Sequence, residues 1–90
     1  SSYPTRAARH GILLTQEGHV KIGKNSHAQM FYPPEKTCSC STCSRFSLAY
    51  LHHLFKAKEV TYMILATIHN LHFMVQLMQR YRTKILHNDI

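Results

Sequence analysis

Cys38, Cys40 and Cys43 fall within six residues, and His69-Asn70-Leu71 follows at a distance. Three soft thiolates and one imidazole form a complete tetrahedral donor set for Zn²⁺. If His69 is the fourth ligand, the chain must fold so that residues 26 to 31 positions apart meet at one point. Few other features of a short sequence constrain its fold as strongly.

The intervening segment can satisfy that constraint. From Ser44 to about Lys58 the residues SRFSLAYLHHLFKAK read as one amphipathic helix, and a second helical pattern begins at Glu59. In a helical hairpin, the first helix carries the chain ~20 Å away from the cysteines and the second returns it ~16 Å by His69, at ~1.5 Å per residue. The chain has eight histidines, so proximity of one to the cysteines is weak support by itself. His52, His53 and His72 are read as packing or surface residues. His72, one turn beyond His69 on nearly the same face, is the nearest rival as a ligand. A disulfide reading is weaker, because the cysteine count is odd and C-x-C brings two thiols too close for an unstrained bridge. The simplest account is a reduced, cytoplasmic zinc site closed by four protein ligands. Such a site is structural and does not activate water.

Ninety residues allow one small domain with a modest core, which a metal staple would reinforce. The abrupt start at SSYPTR without Met suggests a piece of something larger. Eleven Lys and Arg against four acids give a formal charge of +7, with nucleic acid as the default partner and an anionic membrane surface as the runner-up. Val60 to Gln79 is twenty residues without formal charge, but its Thr, His, Asn and Gln side chains are too numerous for a membrane span. Its pattern is helical: Val60, Ile64, Ile68, Leu71, Val75, Met78 and Ile85 are expected to form one buried stripe, with Met63, Phe73, Met74 and Met78 as core packing.

Residues 1–10 read as irregular. Gly11 to Thr15 and His19 to Ile22 read as two short strands turned at Gln16-Glu17-Gly18, and residues 26–37 form a loop containing Pro33-Pro34. The four acids, Glu17, Glu35, Glu59 and Asp89, are scattered, so no carboxylate pair is available for acid–base work. No serine sits in a nucleophile elbow, and three glycines do not make a phosphate-binding loop.

Four motifs in order together resemble the C-terminal part of the tRNA-guanine transglycosylases, also called queuine tRNA-ribosyltransferases. They are Pro4-Thr5-Arg6-x-x-Arg9-x-Gly11; the knuckle Cys38-Ser39-Cys40-Ser41-Thr42-Cys43; Ser47-x-Ala49-Tyr50-Leu51-His52-His53-Leu54; and His69-Asn70-Leu71 with Gln76-Leu77-Met78 and Arg82. The resemblance implies an α/β fold: the end of a (β/α)8 TIM barrel with an inserted zinc-binding subdomain made of a short β-hairpin, a zinc knuckle and a helical hairpin, mostly helical over residues 44–88. Residues 1–10 would be an active-site, tRNA-binding loop of the barrel, 11–37 a strand pair and loop, and 38–90 the zinc-binding subdomain.

The implied reaction exchanges guanine at the wobble position of a GUN anticodon for preQ1 or queuine. An Asp nucleophile attacks ribose C1′, a second Asp acts as acid and base, and the target base is extruded into a pocket. By the same resemblance Thr5, Arg6 and Arg9 contact tRNA, and Cys38, Cys40, Cys43 and His69 hold one structural zinc. The zinc subdomain supports tRNA docking and subunit contact, so the full-length protein is expected to dimerise in the cytoplasm. Lys21 and Lys24 are read as solvated strand residues more than as phosphate contacts. The family nucleophile stands six residues before the Arg of Pro-Thr-Arg, which places it just before Ser1, so these residues alone are expected to be inert. Two alternatives are a catalytically silent subunit of a heterodimeric transglycosylase and a small zinc-dependent RNA-binding module.

Overall fold

A computed structural model describes residues 2–86, arranged as α1 (Ser2–Arg9), β1 (Ile12–Thr15), β2 (Gly18–Lys21), a 3₁₀ turn (Asn25–Gln29), α2 (Ser41–Arg45), α3 (Leu48–Lys56) and α4 (Val60–Leu86). The helix expected to reach residue 88, and Asp89, extend outside the described residues. Residues 2–9 are helical, where the sequence reads as irregular. Pro4 does not prevent this, because in the first turn of a helix its missing N–H would have had no intrahelical partner. Gly11 then takes φ +78°, a region open to glycine at little cost, and turns the chain from α1 into the hairpin.

The two strands pair antiparallel, from Ile12 opposite Lys21 to Thr15 opposite Gly18. Gly18 takes φ +123°, and the Thr15 hydroxyl donates to its carbonyl, closing the turn. A two-stranded sheet is marginal alone, so its outer polar groups and its apolar face must find partners elsewhere. α4 provides both.

The helix expected from Ser44 to Lys58 is two helices. Phe46 adopts an extended backbone, φ −129° and ψ 153°, and Ser47 caps α3 by accepting from the Tyr50 N–H at 3.1 Å. The next two free amides of α3 are also used: Leu48 N–H donates to Tyr32 O and Ala49 N–H to Met30 O, both at 2.9 Å. The serine that reads as a mid-helix residue is therefore a cap, and the loop before it serves as the acceptor. At the far end Lys58 takes φ 58° and the Glu59 N–H closes back on Leu54 O at 3.0 Å, a left-handed helix stop that sends the chain into α4.

The core joins Ala8 of α1, Leu13 and Ile22 of the hairpin region, Leu48, Leu51 and Leu54 of α3, and Tyr62 and Ala66 of α4. The face of α4 that turns inward carries Tyr62, Ala66, His69 and Asn70. This corrects the sequence reading. The stripe expected to be buried is exposed, from Val60 at 74% through Val75 at 51% to Met78 at 66% and Ile85 at 59%. Met63, Phe73 and Met74 are half-buried, whereas Met78 is not core. The rotation of α4 is fixed by polar side chains that find hydrogen-bond partners on α1 and β1, and these outweigh the wider apolar face. No helix among the described residues is long and apolar enough to cross a membrane.

Candidate metal centre

The knuckle builds itself locally. Cys40 occupies the N-cap of α2, where its Sγ accepts from the Cys43 N–H at 3.4 Å, and the Cys40 N–H points to Cys38 Sγ at 3.5 Å. The sulfurs of Cys38 and Cys40 are thus each placed by a neighbour's backbone, that of Cys40 as a capping serine's oxygen would be. Thr42, fully buried between Cys40 and Cys43, donates its hydroxyl to Leu65 O at 2.7 Å and pins α2 against α4. One turn later on α4, His69 faces the knuckle.

The four ligand atoms lie within 4.8 Å of one another. His69 Nδ1 is 3.6 Å from Cys38 Sγ, 3.6 Å from Cys40 Sγ and 3.3 Å from Cys43 Sγ. In a tetrahedral site with metal–sulfur bonds of ~2.3 Å and metal–nitrogen bonds of ~2.0–2.1 Å, each nitrogen–sulfur edge would be ~3.6 Å. The geometry therefore suits a metal ion. The tautomer suits it too: His69 Nε2 lies 2.7 Å from Leu14 O, and because a carbonyl only accepts, Nε2 carries the proton. The lone pair on Nδ1 is left aimed among three sulfurs. A backbone carbonyl that orients the ring in this way is the usual outer partner of a metal-bound histidine.

Burial pushes the thiols of Cys38 and Cys43 above their ordinary range and holds His69 below its own, so in the absence of a cation all three groups favour their neutral forms. A divalent metal reverses that balance for the thiols, and neutral His69 needs no proton removed before it can coordinate. The three cysteines are unbridged.

The remaining expected residues lie apart from this centre. Thr5, Arg6 and Arg9 are on α1; Thr5 is half-buried, and the two arginines are exposed three residues apart, on neighbouring positions of one helix face. His72 faces Ser39 Oγ at 3.4 Å, on the rim of a cavity of about 90 Å³ beside the knuckle. His52 is buried with Nδ1 2.7 Å from Ile22 O, and His53 is exposed.

Two residues in this region carry roles the sequence did not reveal. Asn70 is fully buried: its Oδ1 accepts from Leu14 N–H at 3.0 Å, and its Nδ2 donates to Ile12 O at 2.9 Å and Pro4 O at 3.1 Å. Tyr62 donates to Ala8 O at 2.9 Å. The one signal in the sequence is that both are polar residues on a helix rich in apolar ones.

Fold and site together define a small mixed module, a two-stranded hairpin and helices gathered around a cluster of three cysteines and one histidine positioned to hold a metal ion. The family model described as queuine tRNA-ribosyltransferase matches residues 1–90. A queuine tRNA-ribosyltransferase of Protochlamydia amoebophila is 64% identical over 85 residues, covering 94% of this chain and 22% of that protein. Proteins of the same name from Chlamydia pneumoniae and Helicobacter pylori are 50% and 48% identical, over 100% and 92% of this chain and 24% and 22% of their own lengths. The chain belongs to the queuine tRNA-ribosyltransferase family. It spans about a quarter of the length of these curated relatives.

Proposed function

We propose that this chain is the metal-binding, tRNA-gripping end of a tRNA-guanine transglycosylase that exchanges guanine at the wobble position of GUN anticodons for preQ1 or queuine. The observation that carries the reading is the coincidence of the family match over residues 1–90 with a donor set closed at four ligands. Cys38, Cys40, Cys43 and His69 hold Zn²⁺, whose preference for tetrahedral sulfur and nitrogen fits the set, and four protein ligands leave no open position for a reacting water. The metal's contribution is cross-linking: it ties the knuckle to α4 and, through His69, to β1.

Chemistry at the ribose then belongs to carboxylates outside these residues, with the nucleophilic Asp falling just before Ser1. The described residues hold the substrate. Arg6 and Arg9, exposed on one face of α1, suit phosphates and unstacked bases of an anticodon loop, and Thr5 adds a hydroxyl beside them. A net charge of +7 favours the polyanion generally. By itself the chain is catalytically inert.

The apolar stripe of α4 supports placement in a larger (β/α)8 barrel. A row from Val60 to Ile85 with exposures mostly above 50% is a face in need of cover, and about three quarters of the length of the relatives lies outside this chain. That remaining polypeptide is the occupant of the face. In this arrangement residues 1–10 stand at the active-site end, 11–37 form the connecting hairpin and loop, and 38–90 the zinc subdomain. The whole protein acts in the cytoplasm as a dimer.

The test is incorporation of labelled guanine into a GUN-anticodon tRNA by the full chain. Incorporation that vanishes when the residue before Ser1 is changed to Asn supports the reading. Zinc and tRNA binding without incorporation would assign the chain to a silent partner subunit instead.

A further inference from the structure

We propose that Asn70, with Tyr62 as its counterpart, is a positioning residue for tRNA: it fixes the helix that bears Arg6 and Arg9 to the metal centre, so that order at the knuckle sets how the two arginines are presented. The proposal rests on the reading that those arginines grip tRNA.

Both peptide groups of Leu14 on its outer edge are taken by consecutive residues of α4. His69 Nε2 donates to Leu14 O at 2.7 Å, and Leu14 N–H donates to Asn70 Oδ1 at 3.0 Å. A short edge strand would otherwise leave these groups unpaired. The Asn70 amide then continues in the other direction, to Ile12 O and to Pro4 O at 3.1 Å. One fully buried side chain therefore joins the neighbour of a metal ligand, the hairpin and the first turn of α1, with three of its four hydrogen-bonding positions filled by backbone.

At the other end of α1, Tyr62 donates to Ala8 O at 2.9 Å. Pro4 meets Asn70 and Ala8 meets Tyr62, so α1 runs antiparallel to α4 and is held at two points that bracket Arg6. Two attachments to backbone fix both the position and the rotation of a short helix. They do so whatever its outward side chains are, which leaves Arg6 and Arg9 free for a ligand. If either attachment is lost, α1 can swing, and both arginines move together because they share a face.

The test is a mutant cycle on the full, zinc-loaded chain, reading Kd for tRNA at fixed salt alongside metal content. Asn70→Ala is expected to retain the metal and weaken tRNA binding about tenfold, from loss of buried hydrogen bonds at one attachment. In an Arg6→Ala, Arg9→Ala background the same substitution should change Kd less than about twofold, because misplacing absent side chains costs nothing. KM for tRNA should rise while KM for guanine does not. Equal weakening in both backgrounds, or none in the arginine-intact chain, overturns the proposal. Should Asn70→Ala fail to fold, Tyr62→Phe carries the same cycle, since it deletes one hydroxyl and leaves Ala8 O its bond from the Gly11 N–H. An expected loss of about threefold, coupled to the arginines, supports the proposal, and an additive loss sinks it. Arginine variants that bind tRNA as well as the parent would instead overturn the reading of α1 itself.

Discussion

His69 Nε2 donates to the carbonyl of Leu14 at 2.7 Å, and that single bond decides which nitrogen faces the cysteines. It turns a buried histidine into a neutral donor with its lone pair directed at three sulfurs. Replacing His69 with Ala removes one of four ligands, and metal affinity should fall by more than the ~10–100-fold typical of losing an outer partner. Elemental analysis of purified protein after dialysis measures this. Full occupancy in the variant would remove His69 from the site and leave His72 as the residue to examine.

The metal-free chain should be most stable between about pH 6.5 and 9. Burial lowers the His69 value from 6.5, so below that pH the unfolded chain binds more protons and stability declines as pH falls. Burial raises Cys38 and Cys43 from 9.0, so above that pH the unfolded chain releases protons that the folded one keeps, and stability declines again. Tyr62, raised from 10.0 by burial, deepens the alkaline loss. Chemical denaturation of chelated protein at a series of pH values checks the plateau. With metal bound, the thiol part of the alkaline decline should disappear, because the thiols are then already deprotonated, and only the loss from Tyr62 should remain.

Gly11→Ala should destabilise the fold by about 2–3 kcal/mol, from a left-handed backbone position and crowding in the core. A Cβ at Gly11 would sit 2.8 Å from Phe55 Cζ, and the Phe55 ring packs edge-on to Tyr62 with centroids 5.0 Å apart. Gly18→Ala is the control: its φ is +123° but a Cβ there meets nothing within 4 Å, so only the backbone penalty applies. Thermal melts should show both variants destabilised, with the contact to Phe55 adding to the loss at Gly11.

Arg6→Ala and Arg9→Ala should each weaken tRNA binding, and each should reduce the slope of log K against log salt by about 0.7 for a single-stranded phosphate contact. Lys21→Ala, on the exposed strand, should change the slope less. Titrations at four or more salt concentrations separate these outcomes, and an unchanged slope for both arginines would count against their role.

The metal cluster was legible from the spacing of Cys38, Cys40 and Cys43 alone, and the return of His69 followed from helix arithmetic that tolerated an error in the path. That error was Ser47. In sequence a serine within an amphipathic run is neutral, and only the loop acceptors at Met30 and Tyr32 reveal it as a cap. The orientation of α4 was misread for a related reason. Hydrophobic periodicity finds the broadest apolar face, but this helix is rotated by Asn70, Tyr62 and His69, whose acceptors lie 54 to 66 residues away along the chain. Backbone carbonyls leave no trace in a residue pattern. α1 falls where residues 1–10 read as irregular, and Pro4 stands in its first turn, where a proline is compatible with a helix.

Those distant acceptors also bear on the order of events during synthesis. The bond from Asn70 to Pro4 spans 66 residues and that from Tyr62 to Ala8 spans 54. A helix of eight residues is too short to persist alone in water, so α1 waits for partners that are made much later. At ~5–20 residues per second, that is a delay of several seconds in which α1 lacks both of its attachments to α4 and the hairpin lacks its bonds from His69 and Asn70. Within this stretch α1 is therefore made before the residues that hold it and takes shape only after them.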